Sequence, residues 1–274
     1  MSAEKVKQYY TDKVAQEWRR LGRDAYHRLE FDTTVHFLGQ YLPDQGHILD
    51  AGCGPGRYAL HLARQGHDLT LLDLTPENLV SARRRFKRAK LQQQVRDVVE
   101  GSIVDLSCFA DHSFDAVICT GGPLSHVLDA QDRAQAISEL VRVARPGAPI
   151  LVSVMSRLSV IVFILAQSWF EIDMPHFKEI RDSGNYSGDH GFTACHFFLP
   201  EELQEAFEGE DVTILKMAGL EGISSNQRRS LNRVAKDERL WPKWLETHYH
   251  TCTHPSVVGL SEHMLIICRK NAIA

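Results

Sequence analysis

The six cysteines (Cys53, Cys108, Cys119, Cys195, Cys252 and Cys268) contain no Cys-x-x-Cys pair, which argues against a disulfide framework and for free thiols in a reducing compartment. Long apolar runs are also missing. The most apolar stretch, Ser159 to Ala166, falls far short of the roughly 20 residues a spanning helix needs. The opening Met1-Ser2-Ala3-Glu4-Lys5 has no apolar signal core, so a soluble, cytoplasmic protein is expected. Nor is there an excess of positive charge: 31 Lys and Arg against 35 Asp and Glu leave a net −4, without the footprint of a nucleic-acid binder. The one basic run, Arg83 to Lys90, lies in the second half of an expected helix, where cations suit the dipole, and is read as a solvated face. Repeats and low-complexity tracts are absent. What remains is 274 residues, 43% hydrophobic, enough for one substantial core.

Within that chain the segment Ile48-Leu49-Asp50-Ala51-Gly52-Cys53-Gly54-Pro55-Gly56-Arg57 reads as a strand entering a glycine turn that opens a helix. Glycine allows a tight bend and a close approach to a ligand, and the first N–H groups of the following helix are left unpaired. The spacing is G-x-G-x-G, not the G-x-G-x-x-G of dinucleotide binders, and no Lys-Ser or Lys-Thr follows as in a phosphate loop. Asp68 to Asp73 is a second apolar strand ending in a carboxylate about 20 residues past the glycines, where it can accept ribose hydroxyls. Val95 to Gly101, Phe114 to Thr120 and Pro149 to Met155 supply three more strands.

Helical spacing marks residues 56–66, 76–90 and 130–144 between these strands, and two helices within residues 1–42 before the Pro43-Asp44-Gln45-Gly46 turn. The alternation predicts an α/β fold, a parallel sheet with helices on both faces and a ligand crevice outside the carboxyl ends of the strands. After residue 156 an apolar helix (158–170), a helix opened by Pro200 and two further strands (212–217 and 264–268) are expected.

The ordered series, over residues 46 to 155, resembles the class I S-adenosylmethionine-dependent methyltransferases, in their small-molecule (methyltransferase type 11/25-like) branch. The resemblance implies a Rossmann-like, doubly wound seven-stranded sheet, mostly parallel with an antiparallel last strand. It divides a single domain into an N-terminal helical lid (1–45), a cofactor-binding core (46–156) and a segment completing the sheet (157–274). Residues 1–42, 169–198 and 219–260 are expected to cover the substrate. By the same resemblance Gly52, Gly54 and Gly56 approach the methionine part of S-adenosylmethionine, and Asp50 orients the turn or meets the ammonium. Asp73 holds the ribose, and Ser102 stands where the family often has an adenine-binding Asp. Ile103 flanks adenine, Leu74 packs on its other face or in the core, and Thr120 lends its carbonyl to the methionine amine. Tyr10 matches the aromatic that closes over the cofactor.

Methyl transfer from a sulfonium needs alignment of acceptor, methyl and sulfur above all; a base matters only where the acceptor must lose a proton. His126, after the Gly121-Gly122-Pro123 turn, is the first candidate base, and His196 a second that would enter from the other side. Tyr26, His27 and Glu30 are candidate lid contacts. His248, His250, Cys252 and His254 alternate, and on an extended strand would share a face. Pro255 implies a bend, so they are read as a histidine-rich loop at the pocket mouth and no metal is assigned. Aromatics from Trp169 to Phe198 suit an apolar pocket, core or a homodimer face. The expected function is methyl transfer to a small-molecule acceptor at O, N, S or C. The alternatives are a non-catalytic cofactor-binding scaffold or sensor, a nucleotide-linked oxidoreductase, and an RNA or protein methyltransferase. The last lacks the Asn/Asp-Pro-Pro-Tyr sequence after strand four, where this chain has Thr120-Gly121-Gly122-Pro123.

Overall fold

Seven strands build the central sheet of the computed structural model, which describes residues 2–189 and 191–272. They are β1 (His47–Ala51), β2 (Asp68–Asp73), β3 (Val95–Glu100), β4 (Ala116–Cys119), β5 (Pro149–Met155), β6 (Val212–Gly219) and β7 (His263–Lys270). Their spatial order is β3-β2-β1-β4-β5-β7-β6; β7 runs antiparallel to both β5 and β6, and the other pairs are parallel. Leu49 pairs with Thr70 on one side and Val117 on the other, which puts β1 inside the sheet between β2 and β4.

Strand alternation explains the two cores. Leu49, Val117, Ile150, Val152 and Ile266 point to one face, where α5 (Ala130–Val143) and α8 (Pro200–Glu208) cover them through Leu140 and Phe207. Ile48, Ile118, Leu151 and Ile267 point to the other, under α2 (Ala25–Tyr41), α3 (Arg57–Arg64) and α4 (Pro76–Ala89) through Phe37, Leu62 and Phe86. Burying both faces is what a parallel sheet requires. Each fully buried Leu or Phe is worth about 1.5–3 kcal/mol relative to exposure.

The helix ends follow from local chemistry. Asp129 caps α5 by accepting from the Gln131 and Asp132 amides at 2.8 and 3.1 Å. Pro76 and Pro200 open α4 and α8, where a missing N–H costs nothing. The N-terminal helix α1 (Ser2–Arg20) lies across the carboxyl end of the sheet and is tied to α4. Thr11 donates to Glu77 at 3.0 Å, Lys7 pairs with Glu100 at 2.7 Å, and Trp18 is sandwiched between the guanidinium groups of Arg57 and Arg85 at 4.2 and 3.6 Å. Arg85 thus leaves the solvated face expected for the basic run, while Arg83, Arg84, Lys87 and Arg88 stay exposed.

The 219–260 insertion is helical: α9 (Arg228–Val234), α10 (Leu240–Thr251) and α11 (Pro255–Val258) follow α6 (Arg157–Gln167) and α7 (Pro175–Ser183) in the chain. The expectation of an extended histidine-rich loop is overturned here. On a helix His248 and Cys252 share one face and are buried, whereas His250 and His254 are exposed, so the four do not converge. His248 meets Thr33 at 2.8 Å and burial lowers its pKa to about 4. Leu231, Trp241 and Trp244 pack on Tyr26 and Leu29, burying the insertion against α2. Among the described residues no helix is long and apolar enough to cross a membrane.

Candidate active site

The sheet order reverses between β1 and β4, and a cleft of about 1170 Å³, counting its open mouth, sits at their carboxyl ends. The turn after β1 forms its floor. The Gly52 and Cys53 amides both donate to the Leu72 carbonyl, at 2.7 and 2.9 Å, which folds the turn back onto β2. Gly52, at φ +82°, lies under Pro123, and a β-carbon there would come within 2.3 Å of the proline ring. Gly54, at φ +53°, faces open space. Gly56 is not on the cleft wall: its α-carbon packs on α4, where a β-carbon would stand 3.0 Å from that of Ala82. Its place in the motif is helix packing, which corrects the expectation that it approaches the ligand.

Asp73 holds this floor in shape. One oxygen accepts from the Gly54 amide at 2.7 Å, the other from the Thr75 amide at 2.8 Å and Asn78 Nδ2 at 3.2 Å. A carboxylate has about four acceptor positions, so the oxygen facing Gly54 keeps room for a hydroxyl donor. Burial raises its pKa despite those three donors. Asp50 lies behind the turn, off the cleft wall, with no hydrogen bond of ordinary geometry. Burial first, then the charge of Asp73, pushes it up to about 7 against the Ala59 amide.

Leu72, Leu74, Ser102, Ile103 and Val104 make the next wall. The Ser102 hydroxyl accepts from the Val104 amide at 3.2 Å, so it shapes the turn after β3. Thr120, at the end of β4, has an Oγ1 without a partner. The roof is α1, through Val6, Tyr10, Glu17 and Arg20, and the far wall carries Gly121, Pro123, His126 and Leu128. Sequence reasoning missed Glu17, Arg20, Arg57 and Asn78, all of which line the cleft. A Glu and Arg three apart on a helix read as an ordinary surface pair, and only the fold shows which face is covered.

Tyr10 and His126 meet across the cleft, hydroxyl to Nε2, at 2.8 Å. The other ring nitrogen, Nδ1, is 3.0 Å from the Ala194 carbonyl, which can only accept. Nδ1 therefore carries the proton, and Nε2 accepts from Tyr10. Burial lowers the pKa of His126 and raises that of Tyr10.

Below the roof, Arg20 donates to Glu17 at 2.8 Å and is bidentate on Glu30. Glu30 is 3.7 Å from His263 Nδ1, which lies 2.7 Å from Glu221. Burial opposes charge on His263, but Glu30 and Glu221 carry it up to about 9. The donor atoms of Glu30, Glu221 and His263 lie within 4.8 Å of one another, a spacing open to a metal. Arg20 and the charged imidazole already occupy the carboxylates, so the cluster is an ion-pair network.

Several expectations are corrected. His196 does not face the cleft: Nδ1 meets Asn185 at 2.7 Å and Nε2 meets Glu202 at 2.6 Å, leaving no nitrogen for an acceptor. Tyr26 and Glu30 are buried residues of α2, and His27 on the same helix is held by Asp24; none lines the cleft. No described residue of 169–198 or 219–260 is on its wall, because these segments bury their apolar faces on α2, α6 and one another. Of the aromatics, Tyr186, Phe197 and Phe198 are core, whereas Trp169 and Phe170 are exposed.

Residues 48–147 match the family model described as "Methyltransferase domain". Over those residues the chain carries a methyltransferase domain. It is 33% identical over 128 residues to malonyl-[acyl-carrier protein] O-methyltransferase of Erwinia billingiae, an alignment covering 47% of this chain and 45% of that one. It is 28% identical over 186 residues, 67% of each chain, to the ubiquinone biosynthesis O-methyltransferase of Alkalilimnicola ehrlichii. The chain spans about half the length of the first curated relatives it matches. In fold it resembles a methyltransferase of Methanosarcina mazei (TM-score 0.60, 21% identity, 86% of this chain and 98% of that one). It also resembles 1,6-didemethyltoxoflavin-N1-methyltransferase of Burkholderia thailandensis (TM-score 0.58, 16% identity, 98% and 88%).

The cofactor of such a methyltransferase domain is S-adenosylmethionine, and the cleft fits it. Gly54 leaves a gap any side chain would fill. Asp73 keeps an acceptor position for a ribose hydroxyl. The buried carboxylates of Asp50 and Asp73 favour a cationic ligand at this end.

Proposed function

We propose that this protein transfers the methyl group of S-adenosylmethionine to a small-molecule acceptor. The observation that carries the reading is one cleft at the carboxyl ends of β1, β2 and β4 whose lining we divide into a cofactor part and an acceptor part. The half formed by Gly52, Gly54, Asp73, Leu74, Ser102, Ile103 and Thr120 has the shape and charge for the cofactor. The half formed by Tyr10, Glu17, Arg20, Gly121 and His126 is polar and lies beside it. When bound, the sulfonium supplies an already activated methyl group, so no covalent nucleophile is required of the protein. Asp73 and the glycine turn fix the donor, α1 excludes water, and the residues around Tyr10 and His126 orient the acceptor. Net acidity and the absence of a basic cleft favour a small molecule over RNA. The six free cysteines suit a reducing compartment such as the cytoplasm.

Calorimetric titration separates the readings. S-adenosylhomocysteine should bind and NAD should not; the reverse would replace the methyltransferase by an oxidoreductase. Screening S-adenosylhomocysteine release against a metabolite library then tests transfer. Binding without turnover on any acceptor would leave a scaffold or sensor.

A further inference from the structure

We propose that Tyr10 and His126 form a two-residue proton relay and that the acceptor is a phenolic or enolic hydroxyl. The inference rests on the methyl-transfer reading and adds the acceptor class and the route of its proton.

The geometry points first to the direction of the relay. The Ala194 carbonyl takes the Nδ1 proton of His126, so the basic lone pair is at Nε2. That lone pair does not face an acceptor directly, because the Tyr10 hydroxyl covers it at 2.8 Å. Tyr10 has given its only proton to this bond, and its oxygen keeps lone pairs. The oxygen lies in a cleft-lining residue, so whatever binds beside it must offer a hydrogen. A group without an N–H or O–H would leave a buried acceptor unpaired, a loss of about 1–3 kcal/mol. The pair is also held rigidly: the two rings meet edge to face at 5.3 Å, and Phe192 packs against His126 at 5.8 Å.

Protonation states agree. His126 is neutral at pH 7 because burial lowers its pKa, and Tyr10 is un-ionised because burial raises its own. The groups that bear on the pair are few. Glu17 acts on both, Arg20, Tyr9 and Cys195 act on Tyr10, and Asp132 also lines the cleft. Glu17 favours a positive charge on His126, and the Ala194 carbonyl receives the N–H of the imidazolium once formed.

The step balances without another reactant. The acceptor O–H proton passes to the Tyr10 oxygen while the Tyr10 proton passes to His126 Nε2. The freed electron pair on the acceptor oxygen forms the new O–CH3 bond. The electrons of the broken S–CH3 bond stay on sulfur, and His126 returns its proton to water. The relay selects the acceptor. Tyr10 is neutral before and after the relay, so the demand falls on the acceptor and His126: a phenol or enol is acidic enough to give its proton to a neutral imidazole, whereas an aliphatic alcohol is far too weak an acid for one of lowered basicity.

Testing starts with the full chain saturated with S-adenosylhomocysteine and labelled with 15N-histidine. His126 should show the Nδ1–H tautomer and titrate below the ordinary imidazole range; an Nε2–H tautomer, or a charged ring at pH 7, overturns the relay. Transfer is then measured with catechol as the probe hydroxyl and thiophenol, an aryl thiol largely ionised at pH 7, as an acceptor that needs no base. Tyr10→Phe and His126→Asn should each slow catechol methylation about 100-fold at pH 7, with S-adenosylhomocysteine affinity changed less than about threefold. The deficit should shrink as pH rises and catechol ionises itself, and thiol methylation should fall far less. Equal slowing at every pH and for both acceptors would mean a structural role and overturn the proposal. Binding of S-adenosylhomocysteine with turnover of the thiol but not of catechol by the parent chain would overturn the hydroxyl assignment alone. Failure to bind S-adenosylhomocysteine would instead remove the methyl-transfer reading on which it stands.

Discussion

Gly52 and Pro123 interlock the two turns that make the cleft: a β-carbon on the glycine would lie 2.3 Å from the proline ring. One turn follows β1 and the other β4, so the contact sets the distance between the cofactor floor and the far wall. Gly52→Ala combines this clash with φ +82° and should cost about 2–5 kcal/mol. Gly54→Ala, at φ +53° with open space ahead, should cost only about 1–2 kcal/mol yet obstruct the ligand. Thermal unfolding and calorimetry with S-adenosylhomocysteine should therefore rank the two variants oppositely: Gly52→Ala worse in stability, Gly54→Ala worse in binding relative to its stability loss. Equal stability losses would show that the Pro123 contact relaxes freely.

Asp73 is both a structural acceptor and the expected ribose ligand. Asp73→Asn keeps the shape but exchanges one acceptor oxygen for a donor facing either the Gly54 or the Thr75 amide. S-adenosylhomocysteine affinity should fall at least tenfold, about 1.4 kcal/mol, with a parallel loss of stability. Asn78→Ala removes only the 3.2 Å bond and should weaken binding much less. A normal dissociation constant for Asp73→Asn would end the assignment.

The sheet was readable because β1, β2, β4 and β5 are short apolar runs closed by glycine, acid or polar residues, and burial on both faces erases helical period; β3, at the sheet edge, mixes valines with charged residues. The cofactor half of the cleft was readable for the same reason: Gly52, Gly54, Asp73, Ser102 and Thr120 all stand at or just beyond strand ends. The acceptor half was not. His196 looked available because Asn185 and Glu202, which take its two nitrogens, only meet it through folding. The alternation from His248 to His254 imitates a strand, but i to i+4 spacing joins His248 to Cys252 on a helix. Gly56 sits in the motif for packing against Ala82, a contact between two helices that the spacing of one turn does not reveal.

Stability should depend on pH through His263. Its folded pKa, about 9, lies above the ordinary 6.5, so its contribution is complete below about pH 6.5 and lost as pH rises through 9. The interval bounds the loss at about 3 kcal/mol. Asp50 acts in the same direction at lower pH: its folded value of about 7 exceeds the ordinary 3.8, so its charging destabilises the fold between those values. Urea unfolding from pH 6.5 to 9.5 should show the midpoint falling, and His263→Gln should flatten that fall. An unchanged slope in His263→Gln would place the transition elsewhere.

Trp18 should decide how firmly the roof stays shut. Its ring is stacked on by Arg57 and Arg85, and Arg57 also donates to its backbone carbonyl. Trp18→Ala removes both stackings, each worth about 0.5–1 kcal/mol at a partly exposed site. Hydrogen exchange should quicken through residues 2–20 and leave β1 and β4 protected. Uniform quickening across the sheet would show that α1 is part of the global fold.

The helix that carries Trp18 also carries Val6, Tyr10 and Arg20, so a single element closes over both halves of the cleft. Donor and acceptor then share one doorway. On the methyl-transfer proposal, the lifting of this one helix should set the order in which donor and acceptor arrive and leave.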